Sequence, residues 1–165
     1  MDVAGAAQYP AHEYRIVRSH PAGHRRARRI AIENGVPIDE TVTIFRAKEE
    51  QKLAGTNAHA CYLSLRKLNP NAMVRFEELF PGGRASITMH RSVFLSDEAI
   101  VAHLAHELHE VRGLKEAFAE AGGWMRARDF DQLIRAGKKG NLHDQAWDEA
   151  NRLVEAMRAR SKAPD

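Results

Sequence analysis

The chain carries a single cysteine, Cys61, in 165 residues. That excludes an internal disulfide framework and any cysteine-built zinc finger. No apolar run approaches the roughly 18 residues of a helical membrane span, so no membrane partner is expected. The opening MDVAGAAQYPAHEYR has no basic segment followed by an apolar one, and no secretory leader is read from it. The expectation is cytoplasmic action, or export as part of a larger chain. No GxxxxGK[ST] loop is present, which removes the usual nucleotide-phosphate cradle. Neither sign of charge dominates: 25 Lys and Arg stand against 22 Asp and Glu, a net of +3, which permits an anionic partner without demanding one. Cys61 itself, between Ala60 and Tyr62, reads as a small buried hydrophobe.

What is present suits one compact domain. With 44% hydrophobic residues the chain is too apolar for disorder. A chain of this length buries roughly two-thirds of its unfolded surface. Residues 1–40 read as an N-terminal arm with a basic helix, and 41–160 as the catalytic core. Residues 12–18 alternate weakly and suggest a short strand, 21–34 a helix stopped by Gly35, and 41–47 a β-branched strand. A helix is expected over 58–68, a strand over 84–95, and a helix over about 97–112 that starts at Ser96-Asp97-Glu98 and stops at Gly113. Further helices are expected over 114–121, 129–136 and about 141–159. The class is α+β, mostly helical, with a small sheet in the first half.

Nine histidines are the unusual count, and His103, His106 and His109 crowd into one helix. On a wheel of about 100° per residue, Ile100, Val101, Leu104, Leu108 and Val111 form the apolar stripe. His103, His106, Glu107 and Glu110 form a second stripe beside it, while His109 lies elsewhere. His103/Glu107 and His106/Glu110 are i, i+4 pairs whose side chains meet one turn apart. Two donors so placed can chelate a metal if a third comes from elsewhere, which leaves a position for water. A neighbouring carboxylate then serves as the base. His106 and Glu110 fit the ligand roles and Glu107 that of the base, with His103 an additional candidate. The competing expectation is a solvated, mutually paired helix face.

The run ITMHRSVFLSDEAIVAHLAHELHE resembles the core of zincin-type metallopeptidases, most clearly the small phage-repressor-cleaving type. Such domains place an edge strand, a short linker and then an apolar-A-H-E-L helix. The resemblance spans about 30 residues and implies His106 as a metal ligand and Glu107 as general base. It also implies zinc as the cofactor and a peptide substrate laid along the strand edge at residues 84–95. At the position of the family's second histidine this chain has Glu110, and a carboxylate is also a zinc ligand. In size and style the chain also resembles the C-terminal toxin modules of bacterial polymorphic toxins, which implies an acidic immunity or inhibitor protein as a partner.

For the third ligand, His143 in the first turn of the last helix is the leading candidate, with Asp144 beside it as an acceptor for its second nitrogen. His59 and His90 are the others. The reading favoured is thus a zinc-dependent hydrolase acting on peptide bonds through His106, Glu110, His143 and Glu107. Two alternatives stay open. One is a non-enzymatic helical module whose arginines at 25, 26, 28 and 29 meet an acidic protein or nucleic acid. The other is a metal-free nuclease-type toxin that uses the His/Glu cluster as acid and base. Trp124 and Trp147 are read as packing residues.

Overall fold

The computed structural model describes residues 14–48, 58–60, 69–135 and 137–162, with the backbone alone for 58–60. Its class is α+β and mostly helical. Helix α1 (His24–Glu33) leads into strand β1 (Val42–Arg46), and β2 (Ala58–Ala60) and β3 (Met73–Arg75) follow. A short helix α2 (Phe76–Leu79), β4 (Ala85–Met89) and a 3-10 turn (Arg91–Leu95) precede the long helix α3 (Asp97–Glu120). The chain closes with β5 (Trp124–Arg126), α4 (Ala127–Ile134) and α5 (Leu142–Lys162).

Helix α1 buries Ala27, Ile30 and Ala31, an i, i+3, i+4 set facing the core. Its arginines are not all free for a partner. Arg28 donates to the carbonyl of Asp39 at 2.9 Å and to that of Val42, which ties the helix to β1. The segment before it is not a strand. Residues 14–20 run without one, held by Val17 N–H on Leu95 O and Ala22 N–H on Phe94 O, with Tyr14 buried.

The main sheet has the order β1-β4-β2, with β1 parallel and β2 antiparallel to β4. Val42, Ile44, Ala85, Ile87 and Met89 are buried and supply the inner face. Three expectations change here. The strand expected over 84–95 ends at Met89, because the chain turns into the 3-10 segment capped by His90, whose Nδ1 accepts from Ser92 N–H. That strand is central rather than an edge: β1 pairs along its whole length and β2 along Ile87–Met89, so those three residues offer no open edge to an added peptide. Residues 58–60 are the third strand rather than a helix; the rest of that expected helix, with Cys61, lies outside the described residues. A second sheet, missed in the sequence, pairs β3 with β5 antiparallel, Val74 opposite Met125. The three-residue strands are too short to show a period. They carry an exposed cation-π contact, Arg75 Cζ 4.0 Å from the Trp124 ring centroid.

Helix α3 begins at Ser96, whose hydroxyl accepts from Ala99 N–H at 3.1 Å, and has Asp97 and Glu98 in its first turn. It does not stop at Gly113 but runs through it for 24 residues. Gly113 serves packing instead of termination. A Cβ there would lie 2.4 Å from Leu142 Cδ2 and 3.2 Å from its Cγ, so any larger residue forces the Leu142 side chain to shift. The real stop is Gly122-Gly123, both at positive φ. From the Gly113–Leu142 contact, α5 runs antiparallel along α3 until Arg158 binds Glu98 at 2.7 Å. No described helix is long and apolar enough to cross a membrane.

Substituting Gly113→Ala tests this contact. Propensity alone favours alanine by about 1 kcal/mol, but the clash with Leu142 costs about 1–3 kcal/mol. We expect a lower urea midpoint, recovered in part by adding Leu142→Ala. A raised midpoint in the single variant contradicts the packing role.

Candidate metal centre

The first half of α3 is amphipathic in sequence yet buried on both stripes. The apolar stripe meets the sheet and α1, and the ionisable stripe lies under α5. His103, His106, Glu107 and Glu110 are each at most 6% exposed. What covers them is set by the turn before α5. Gly140 takes a positive φ, and Asn141 Oδ1 caps the helix by accepting from Asp144 N–H at 2.7 Å. Leu142 then seats on Gly113, and the next residue, His143, falls against Glu110.

The result is a three-residue convergence. Glu110 Oε1 lies 2.9 Å from His143 Nδ1 and 3.2 Å from His106 Nε2. One donor atom from each of His106, Glu110 and His143 falls within 4.8 Å of the others. The two imidazoles stand nearly perpendicular, 80° apart with centroids at 4.7 Å. A tetrahedral ion with bonds of about 2.0–2.1 Å separates its donors by about 3.3 Å. Both distances to Glu110 are on that scale, and the two histidines need only draw together. His106 Nε2 is close to Glu110 but misaligned, so this buried nitrogen makes no hydrogen bond. An unmet buried nitrogen this close to a carboxylate is an arrangement that a shared cation would satisfy. Two imidazoles and one carboxylate also form a donor set typical of three-ligand zinc sites.

The charge states suit that role. Burial, aided by the neighbouring histidines His143, His103 and His109, holds His106 well below the ordinary imidazole range, so it is neutral and keeps its lone pair. Burial alone pushes His103 down to about 4. His143 is raised, first by its hydrogen bond to Glu110, against burial, with the charges of Glu110 and Asp144 adding to the rise.

The remaining candidates sit elsewhere. His103 is outside the triad, edge-on between Tyr14 and Trp147, its Nε2 buried without a hydrogen bond. Asp144 does not accept from His143; its carboxylate takes Gly137 N–H at 3.0 Å and Asn141 Nδ2–H at 2.7 Å, which locks the preceding loop. His90 is exposed and caps the 3-10 turn. His59 lies on β2, and its side chain is outside the described residues. Glu107 is buried on α3, next in sequence to His106. Sequence reasoning missed Trp147. Its ring stacks on His106, 4.2 Å between centroids and 14° between planes, and its Nε1–H donates to His143 Nε2 at 3.3 Å. The available signal was its i, i+4 spacing from His143.

No family model, curated protein or solved structure matches the chain.

The buried imidazoles set an acid limit. His103 and His106 bind protons more weakly folded than unfolded, so stability falls as pH drops below about 6.5, the unfolded value. His103 alone accounts for roughly 3 kcal/mol, spent between about pH 6.5 and 4. His143 works in the opposite sense: its contribution is full below the unfolded value and is lost as pH rises through its raised one. In urea titrations across this range, His103→Leu should flatten the acid slope. An unchanged slope contradicts the assignment.

Proposed function

We propose that this chain is a zincin-like, zinc-dependent hydrolase of peptide bonds, of the kind used as effector modules in bacterial polymorphic toxins. His106, Glu110 and His143 hold the metal, and Glu107 is the general base. The observation that carries this reading is the buried His106 Nε2, without a hydrogen bond, converging with Glu110 Oε1 and His143 Nδ1. Leaving such a nitrogen unmet costs about 1–3 kcal/mol, and a cation offsets that cost.

Zinc bound there would supply Lewis acidity toward the scissile carbonyl and toward water. The chain's own groups do the rest. His106, neutral through burial, offers a lone pair without first losing a proton. Glu110 contributes the negative charge that makes a divalent ion welcome in this part of the core. Glu107 takes the proton of the attacking water as the C–O bond forms, and returns it to the leaving amine as the C–N bond breaks. Since β4 is paired on both sides, substrate approaches past His143. With 29% of its side chain exposed, His143 is the most accessible of the three ligands.

A second reading has its own support. The 2.9 Å contact from His143 to Glu110, with the Trp147 indole N–H orienting His143 from behind, forms an acid–base pair that needs no metal, as a nuclease-type toxin would use. Chelator separates the two, since only the zinc enzyme stops. The arginine helix is the weaker alternative, because Arg28 is tied to β1 and Arg29 lies 3.8 Å from Glu33.

Elemental analysis of untagged protein should find one zinc per chain, lost in His106→Ala. Glu107→Gln should keep the zinc while peptide hydrolysis falls by about 10²–10⁴. Metal-free wild-type protein, or a fully active Glu107→Gln, contradicts the proposal.

A further inference from the structure

Trp147 touches both imidazoles of the triad, and in two different ways. Toward His106 it offers its face: the rings lie nearly parallel at 4.2 Å. Toward His143 it offers a proton: Nε1–H donates to Nε2 at 3.3 Å. The two contacts have opposite consequences for a metal.

A neutral imidazole has one N–H and one lone pair, and a nitrogen that accepts from an indole carries no proton. Acceptance at Nε2 therefore places the proton of His143 on Nδ1, where it is donated to Glu110 Oε1 at 2.9 Å. A metal held between Glu110 and His143 needs the reverse arrangement, a lone pair on Nδ1 and the proton on Nε2. Trp147 N–H and His143 Nε2–H would then point at each other, so the indole hydrogen bond must break. Holding a metal there would require one proton to leave Nδ1 to water and another to reach Nε2 from water, with no net change in the protons on His143. The stack on His106 survives this change, because it involves no proton.

We propose that Trp147 is a positioning residue that acts on the two histidines in opposite senses. Its stacked face holds His106 ready to ligate, while its N–H keeps His143 in the tautomer that closes the metal-free site on Glu110. The tautomer half stands on hydrogen bonds alone. The effect on metal affinity rests on the zinc reading above.

Two measurements test it, one of them independent of metal. In metal-free wild-type protein, ¹⁵N shifts of the His143 ring, taken well above its raised pKa, should show a protonated Nδ1 and a bare Nε2. Trp147→Phe should relax this toward a mixture of tautomers. A protonated Nε2 in the wild type overturns the proposal without any variant having to fold. Competition with a chromophoric chelator should then show Trp147→Phe binding zinc about three- to tenfold tighter than wild type, since the opposing hydrogen bond is gone. Trp147→Leu, which also loses the stack, should bind more weakly than Trp147→Phe. Equal or weaker binding by Trp147→Phe overturns the gating role while the zinc reading stands. A wild type with bare Nε2 but no zinc affinity overturns the zinc reading and the gating role together, and only the tautomer assignment survives.

Discussion

The contact of Leu142 with Gly113 is the constraint on which the candidate site depends. Removing one methyl group's worth of volume from α3 lets α5 lie against it at that point. The next residue along α5, His143, then lies 2.9 Å from Glu110. One helix supplies two donors by its own pitch, and the third arrives because a glycine permits close approach. The antiparallel course to the Glu98–Arg158 pair keeps α5 over the whole ionisable stripe of α3.

That cover has an electrostatic consequence. Imidazoles that would be solvated on a lone amphipathic helix are taken out of water, and burial deprives them of charge before any ligand is considered. The same burial makes their unmet nitrogens costly. His106 has a carboxylate within reach and a stacked indole behind it, whereas His103 stands edge-on to Tyr14 and Trp147. The difference marks His106 as a ligand candidate and His103 as part of the packing around the site.

Much of this was legible in the chain. The i, i+4 pairing of His106 with Glu110 follows from helical pitch, and the cap at Ser96 announces where that helix begins. His143 was legible as a candidate because it falls in the first turn of the last helix, beside the apolar stripe through Leu142 and Ala146. Tertiary contacts decided the rest. Gly113 reads as a stop by local rules, yet its role lies in what packs against it 29 positions later. β4 reads as an edge strand by resemblance, but pairing order is a long-range property, and β1 and β2 both claim it. Trp147 looks like ordinary packing until α5 is laid on α3. Strands of three residues, such as β3 and β5, are too short to show any period.

The proposed metal centre requires His106, Glu110 and His143 to share one divalent cation. X-ray absorption at the zinc edge, on protein loaded with one equivalent, probes this most directly. We expect light-atom ligands at about 2.0–2.1 Å, with the outer-shell scattering of two imidazoles, reduced to one in His143→Ala. A spectrum with no imidazole signature, or one unchanged by removing His143, contradicts it.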